Sequence, residues 1–132
     1  MDFLSFYPKG KNLFVEIVPD KYIQWQPNTE EEIPKKITEL TPLINQLRSY
    51  CLQKSIKQIV LIDCDKAVQF DKLNYVLTCK LVSKLVEIFP DPKDTLSRVE
   101  MHHCNSAIVG IYSAAKGLLP RTISDIYHLY TT

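Results

Sequence analysis

Apolar and polar residues alternate along this chain with a period that changes from segment to segment. NLFVEIV (12–18) is rich in β-branched and aromatic residues and predicts a strand, followed by a turn at Pro19-Asp20. KYIQW (21–25) predicts a second strand or an irregular edge. QPNTEEEIPKK reads as a loop running into a helix start. Asn28 or Thr29 is the candidate cap there, and Glu30, Glu31 and Glu32 favour the positive helix end. From Ile33 to Lys54 the apolar residues Ile33, Ile37, Leu40, Leu43, Ile44, Leu47 and Cys51 recur at three- and four-residue steps, which is a helical stripe. Pro34 suits a first turn. Pro42 falls inside the stripe, so the pattern predicts one kinked helix or two helices.

The second half is more regular. KQIVLID (57–63) predicts a strand, and its uninterrupted Ile-Val-Leu-Ile run predicts burial on both faces, as in the middle of a parallel sheet. KAVQFDK (66–72) predicts a loop. Residues 71–89 predict a helix whose polar positions Lys80, Ser83, Lys84 and Glu87 form one narrow strip. FPDPKD stops it with two prolines. SRVEMHH (97–103) predicts a shorter strand. AIVGIYSAAKGLL (107–119) predicts a helix apolar almost all round, ended by Pro120. The remainder predicts a short helical turn and a strand over 125–130. Together these elements predict an α/β fold: a mostly parallel sheet with helices packed on it.

Composition narrows the classes. A length of 132 residues, 45% of them hydrophobic and 23% charged, suits one ordinary globular domain. Sixteen basic residues against fifteen acidic ones argue against a general nucleic-acid binder. No apolar run approaches the roughly 20 residues that span a bilayer. MDFLSFYPKGK lacks the pattern of a signal peptide. Its Phe3, Leu4, Phe6 and Tyr7 either pack on the core or form an arm that touches a partner, a second copy or a membrane surface. Cys51, Cys64, Cys79 and Cys104 form no close-spaced pair and there is no Asn-x-Ser/Thr acceptor, so the expectation is a cytoplasmic protein with reduced thiols and at most peripheral membrane contact.

Candidate chemistry is sparse. IVLID followed by Cys64 and Asp65 has the Asp-x-Asp form with which phosphatases of the haloacid-dehalogenase type begin their site. Such chemistry also needs further acids clustered after a strand to hold Mg²⁺, and Asp71, Glu87, Asp91, Asp94, Glu100 and Asp125 are scattered instead. Asp63 therefore reads as a strand-end carboxylate that accepts hydrogen bonds from the next loop. Cys64, His102 and Cys104 are conceivable metal ligands, but no fourth ligand stands at a telling spacing, so no metal is expected. With three glycines and no Gly-x-Ser-x-Gly or phosphate-loop motif, the reading is a non-enzymatic binding protein without a cofactor.

From Ile59 onward the order of features resembles the CRAL-TRIO lipid-binding domain. The carriers are IVLID, then DKLNYVLTCKLVSKLVEIFP, SRVEMHH, AIVGIYSAAKGLL, and Leu118, Thr122 and Ile126 at four-residue steps. The match covers about residues 57–130. Where that family often has Asn-x-Pro after the second strand, this chain has MHHCNSAIV. The resemblance implies a single domain over 1–132, a minimal core without the family's N-terminal helical lobe and C-terminal gate region. It also implies a lipid or other apolar ligand held between the sheet and the apolar helix. Val99, Met101, His103, Ile108, Ile111, Tyr112, Ala115 and Leu119 are the expected lining, and Lys116 and Arg121 the candidates for a headgroup. The alternative is a domain resembling the STAS fold, a regulator that binds a protein partner and no small ligand. The usual switch Ser or Thr of that family is missing from CDKAVQFDKLN.

Overall fold

Gly10, with a φ of +62°, closes a two-residue turn that only a residue free of a Cβ enters without strain. It joins strand β1 (Leu4–Lys9) to strand β2 (Asn12–Ile17) as an antiparallel hairpin. The N-terminal aromatics are thus part of the fold rather than a free arm. Phe3 is 4% exposed and packs against Tyr22 and Trp25, while Phe6 and Tyr7 stay exposed. In the computed structural model the described residues are 1–66 and 69–131, with Lys66 described through its backbone only. Ala67 and Val68 of the expected loop and the terminal Thr132 lie outside them.

The segment read from its pattern as a second strand or an irregular edge is a helix, α1 (Pro19–Trp25). Pro19 starts it rather than turning the chain, because a first-turn proline gives up no hydrogen bond. Pro19 and Ile23, four apart, are its buried pair. A 3₁₀ turn at Glu30–Glu32 leads into α2 (Ile33–Lys54), and the Glu32 carboxylate accepts from the Asn28 N–H at 3.1 Å. α2 runs through Pro42 as one 22-residue element. Ser55, in the left-handed conformation, ends it.

β3 (Lys57–Asp63) is followed by α3 (Tyr75–Ile88), which starts later than its apolar pattern suggests because Asn74 caps it, accepting from the Leu77 N–H at 3.1 Å. Then come β4 (Leu96–His102), α4 (Ser106–Ala115), a 3₁₀ turn at Lys116–Leu118, α5 (Arg121–Ser124) and β5 (Tyr127–Leu129). No helix among the described residues is long and apolar enough to cross a membrane.

The sheet order is β1-β2-β3-β4-β5, antiparallel at the first pair and parallel thereafter. Every crossover from β2 to β5 steps one strand in the same direction. Crossovers of one hand then place their helices on one face. The packing agrees: Leu13 and Val15 of β2 cluster with Leu47 and Cys51 of α2, and Met101 of β4 with Ile108 of α4. The burial expected on both faces of β3 is therefore supplied by helices on one face only. Alternation sends Val60 and Ile62 toward the helices, and Ile59 and Leu61 toward the open face. Ile59 is still 1% exposed, flanked in register by Phe14 and Arg98, and Leu61 is half-buried.

Candidate functional site: an uncharged cavity under the helices

Between the covered face of the sheet and α1, α2 and α3 lies a cavity of about 380 Å³. Leu4, Ile17, Val60, Ile62, Met101 and Tyr127 form its sheet side. Tyr22 and Trp25 of α1, Leu40 and Ile44 of α2, and Thr78, Leu81 and Val82 of α3 are among the residues that close it from the helix side. Its described lining includes no carboxylate, amine, guanidinium or imidazole. The polar groups are few. Tyr22 Oη and Thr78 Oγ1 share a hydrogen bond of 2.8 Å, and Trp25 Nε1 donates to Glu39 Oε2 at 3.0 Å. Burial pushes the Tyr22 phenol up to about 12, with the Thr78 bond pulling the other way. Burial also raises Tyr127. Both stay neutral at any ordinary pH. The volume falls at the low end of small-ligand sites, and the walls offer water few partners.

This is a different place from the one the sequence suggests. Of the expected lining, Met101 faces the cavity. Val99, Ile108 and Ala115 are buried elsewhere, Ile108 beside Cys64 and Cys104. Tyr112 stacks on Tyr127 at 5.1 Å, and Ile111 and Leu119 are half-buried. α4 thus backs the cavity wall instead of forming it, and its apolar surface is spent on packing. His103 is exposed in a left-handed conformation (φ 59°), with Nδ1 at 3.0 Å from Asp63 Oδ1. Lys116 and Arg121 are exposed and neither lines the cavity. Sequence reasoning missed the rest of the lining, which comes from α1, α2 and α3 and from the strands on either side of Met101. The stripe from Ile33 to Cys51 was the available signal for α2, while Tyr22 was hidden by reading its segment as a strand.

The polar groups gather at the other side and at the strand ends. A cleft of about 370 Å³ at the C-terminal ends of β2, β3 and β4 is lined by Glu16, Asp63, His102 and His103. Asp63 Oδ1 accepts from the Asp65 N–H at 3.1 Å, the loop-backbone bond expected of a strand-end carboxylate. On the open face, Arg98 Nε and His102 Nε2 both reach Glu100, the latter at 2.8 Å, and His102 stacks on Tyr130 at 4.7 Å. Burial pushes the Glu100 carboxyl up, but its bonds to Arg98 and His102 outweigh that and hold it below its usual value. Cys64 and Cys104 are free thiols in one buried cluster, and burial first, then the neighbouring Cys104, push the Cys64 thiol up to about 12. His102 lies on the opposite face, so the three conceivable metal ligands are not brought together. Among the described residues no group of three or more His, Cys, Asp or Glu is arranged to hold a metal ion.

No protein-family model and no curated protein matches the chain. Among solved structures it is similar to the crystal structure of Sfh5, a CRAL-TRIO homologue of Sec14, with a TM-score of 0.65 and 12% sequence identity. The likeness covers 98% of this chain, which spans 46% of the Sfh5 chain. It shows a CRAL-TRIO-like fold.

Proposed function

We propose that this chain binds an apolar small molecule, a lipid or part of one, in the cavity between the sheet and α1–α3, and performs no chemistry on it. The carrying observation is the cavity itself: about 380 Å³ with no ionisable acid or base other than tyrosine in its described lining. Burying a methylene there is worth roughly 0.8 kcal/mol, so even a short acyl segment gains useful affinity. The CRAL-TRIO-like fold supports the reading, and the reading needs only the sheet and three helices. A second reading, a protein partner or second copy docked on the molecule, draws on the open sheet face, where Tyr7 stacks on Phe14 at 5.5 Å and stays exposed.

Native mass spectrometry of the purified protein, followed by lipid extraction, tests the first reading. The expected result is a bound mass at fixed stoichiometry. Val82→Trp places a large ring at a half-buried cavity position. It is expected to abolish that mass while leaving the melting temperature unchanged or higher. A wild-type protein that carries nothing and takes up no fluorescent lipid would overturn the proposal and leave the interaction reading.

A further inference from the structure

Resting on that reading, we infer that the cavity selects a neutral ligand with one hydroxyl or carbonyl group, seated on the Tyr22–Thr78 hydroxyl pair. Two observations carry this. The first is the lining. A carboxylate, phosphate or ammonium inside the cavity would lose its water and meet no counter-charge among the described lining residues, which costs several kcal/mol or more. The second is hydroxyl accounting. Thr38 and Thr41 spend their hydroxyls on the carbonyls four residues back, of Pro34 and Ile37. Thr78 instead meets Tyr22 across 56 residues of chain, in a wall whose other polar groups are the Trp25 indole N–H, which donates to Glu39, and the Tyr127 hydroxyl. Each hydroxyl brings one donor and two acceptor positions. A single shared bond uses one donor and one acceptor, so the pair retains a donor and several acceptor positions. An alcohol can complete both kinds of bond there, and a ketone or aldehyde can take the donor. A hydrocarbon leaves them unmet.

The test compares hexanol, hexane and hexanoate by competition with a fluorescent apolar probe, at about pH 8, where hexanoate is ionised. The chain is the same in all three, so differences report the polar end. Hexanol is expected to bind about tenfold more tightly than hexane, the worth of one good hydrogen bond, and hexanoate more weakly than either. Thr78→Val keeps the shape and removes the hydroxyl. It should bring the hexanol-to-hexane ratio down to about one, and retained binding of hexane separates loss of the bond from loss of the fold. Tyr22→Phe should do the same. Hexanoate binding as tightly as hexanol would overturn the inference. So would an unchanged hexanol-to-hexane ratio in both variants, even with the apolar reading intact. If the probe and all three ligands fail to bind, the cavity reading itself falls.

Discussion

Along β3, Val60 and Ile62 face the apolar cavity, whereas Ile59, Leu61 and Asp63 point away from the helices. Two sides of one sheet thus have opposite chemistry. The covered side holds the cavity and the apolar clusters around Leu13, Leu47, Met101 and Ile108, and the four buried cysteines belong with it. The open side carries the Tyr7–Phe14 stack and the Arg98–Glu100–His102 chain. The difference follows from topology. A doubly wound sheet reverses its strand order and so sends helices to both faces. Here the order never reverses from β2 to β5, and α1 to α4 pack on one side. The covered side then supplies most of the stability and the ligand space. The open side supplies polar surface and a place for contact.

That contrast is sharpest for stability. Leu13 and Tyr7 lie on adjoining strands but on opposite sides of the sheet. Leu13 is 2% exposed within the cluster with Leu47 and Cys51, so Leu13→Ala should cost about 2–5 kcal/mol in urea denaturation. Tyr7 is 40% exposed, and Tyr7→Ala should cost about 1 kcal/mol, the scale of one aromatic stack. Comparable costs at the two positions would mean that the open face is as closely packed as the covered one, and would break the comparison.

Thiol reactivity reads the same divide kinetically. Burial raises Cys51, Cys64 and Cys79, Cys64 to about 12. At about pH 8 Cys64 carries very little thiolate, so a thiol-disulfide exchange reagent should modify it more than about a hundredfold slower than a free cysteine. Cys51 and Cys79, raised in the same direction and buried, should also react more slowly than a free cysteine. Full reaction is expected only when urea opens the fold. A fast-reacting thiol in the native protein would show that the covered side opens readily to solvent, which would also loosen the cavity.

The sequence showed the helix–strand alternation after Lys57 well, because those elements are long and each keeps one period. β1 was not legible: it is an edge strand containing Pro8, with one side in solvent, so no clean alternation marks it. α1 was misread because Pro-Asp has the same form at a turn and at a helix start, and seven residues hold too few periods to decide. The cavity was legible only as a possibility. Of the expected lining Met101 borders it, and the weight fell on α4 because that helix is so apolar. Apolarity reports burial and does not distinguish packing from lining. The stripe of α2 carried the better signal and looked like ordinary core. The one-sided helix layer depends on strand order, and no single strand's pattern contains that.

The smallest expected effect lies on the open side and is the one that depends on acid. Glu100 is held below its ordinary value of 4.5 by Arg98 and His102 against the upward push of burial. An ionised carboxylate only accepts, so His102 Nε2 donates to it. A carboxyl with a depressed folded value binds fewer protons folded than unfolded as the pH drops. Its contribution is therefore fully present above about 4.5 and is lost as the pH falls through the folded value. Arg98 is 44% exposed, so solvent screens the pair and the contribution is small. Glu100→Gln should lower stability by less than about 1 kcal/mol near neutral pH, and the gap to wild type should close in acid. Leu13→Ala, on the covered side, should keep its cost across the same range, since no charge is involved. Denaturant titrations of both variants at neutral and acid pH decide the point. A Glu100→Gln deficit that persists or grows in acid would show that the side chain contributes through packing rather than charge, and the two sides of the sheet would then differ less than their chemistry indicates.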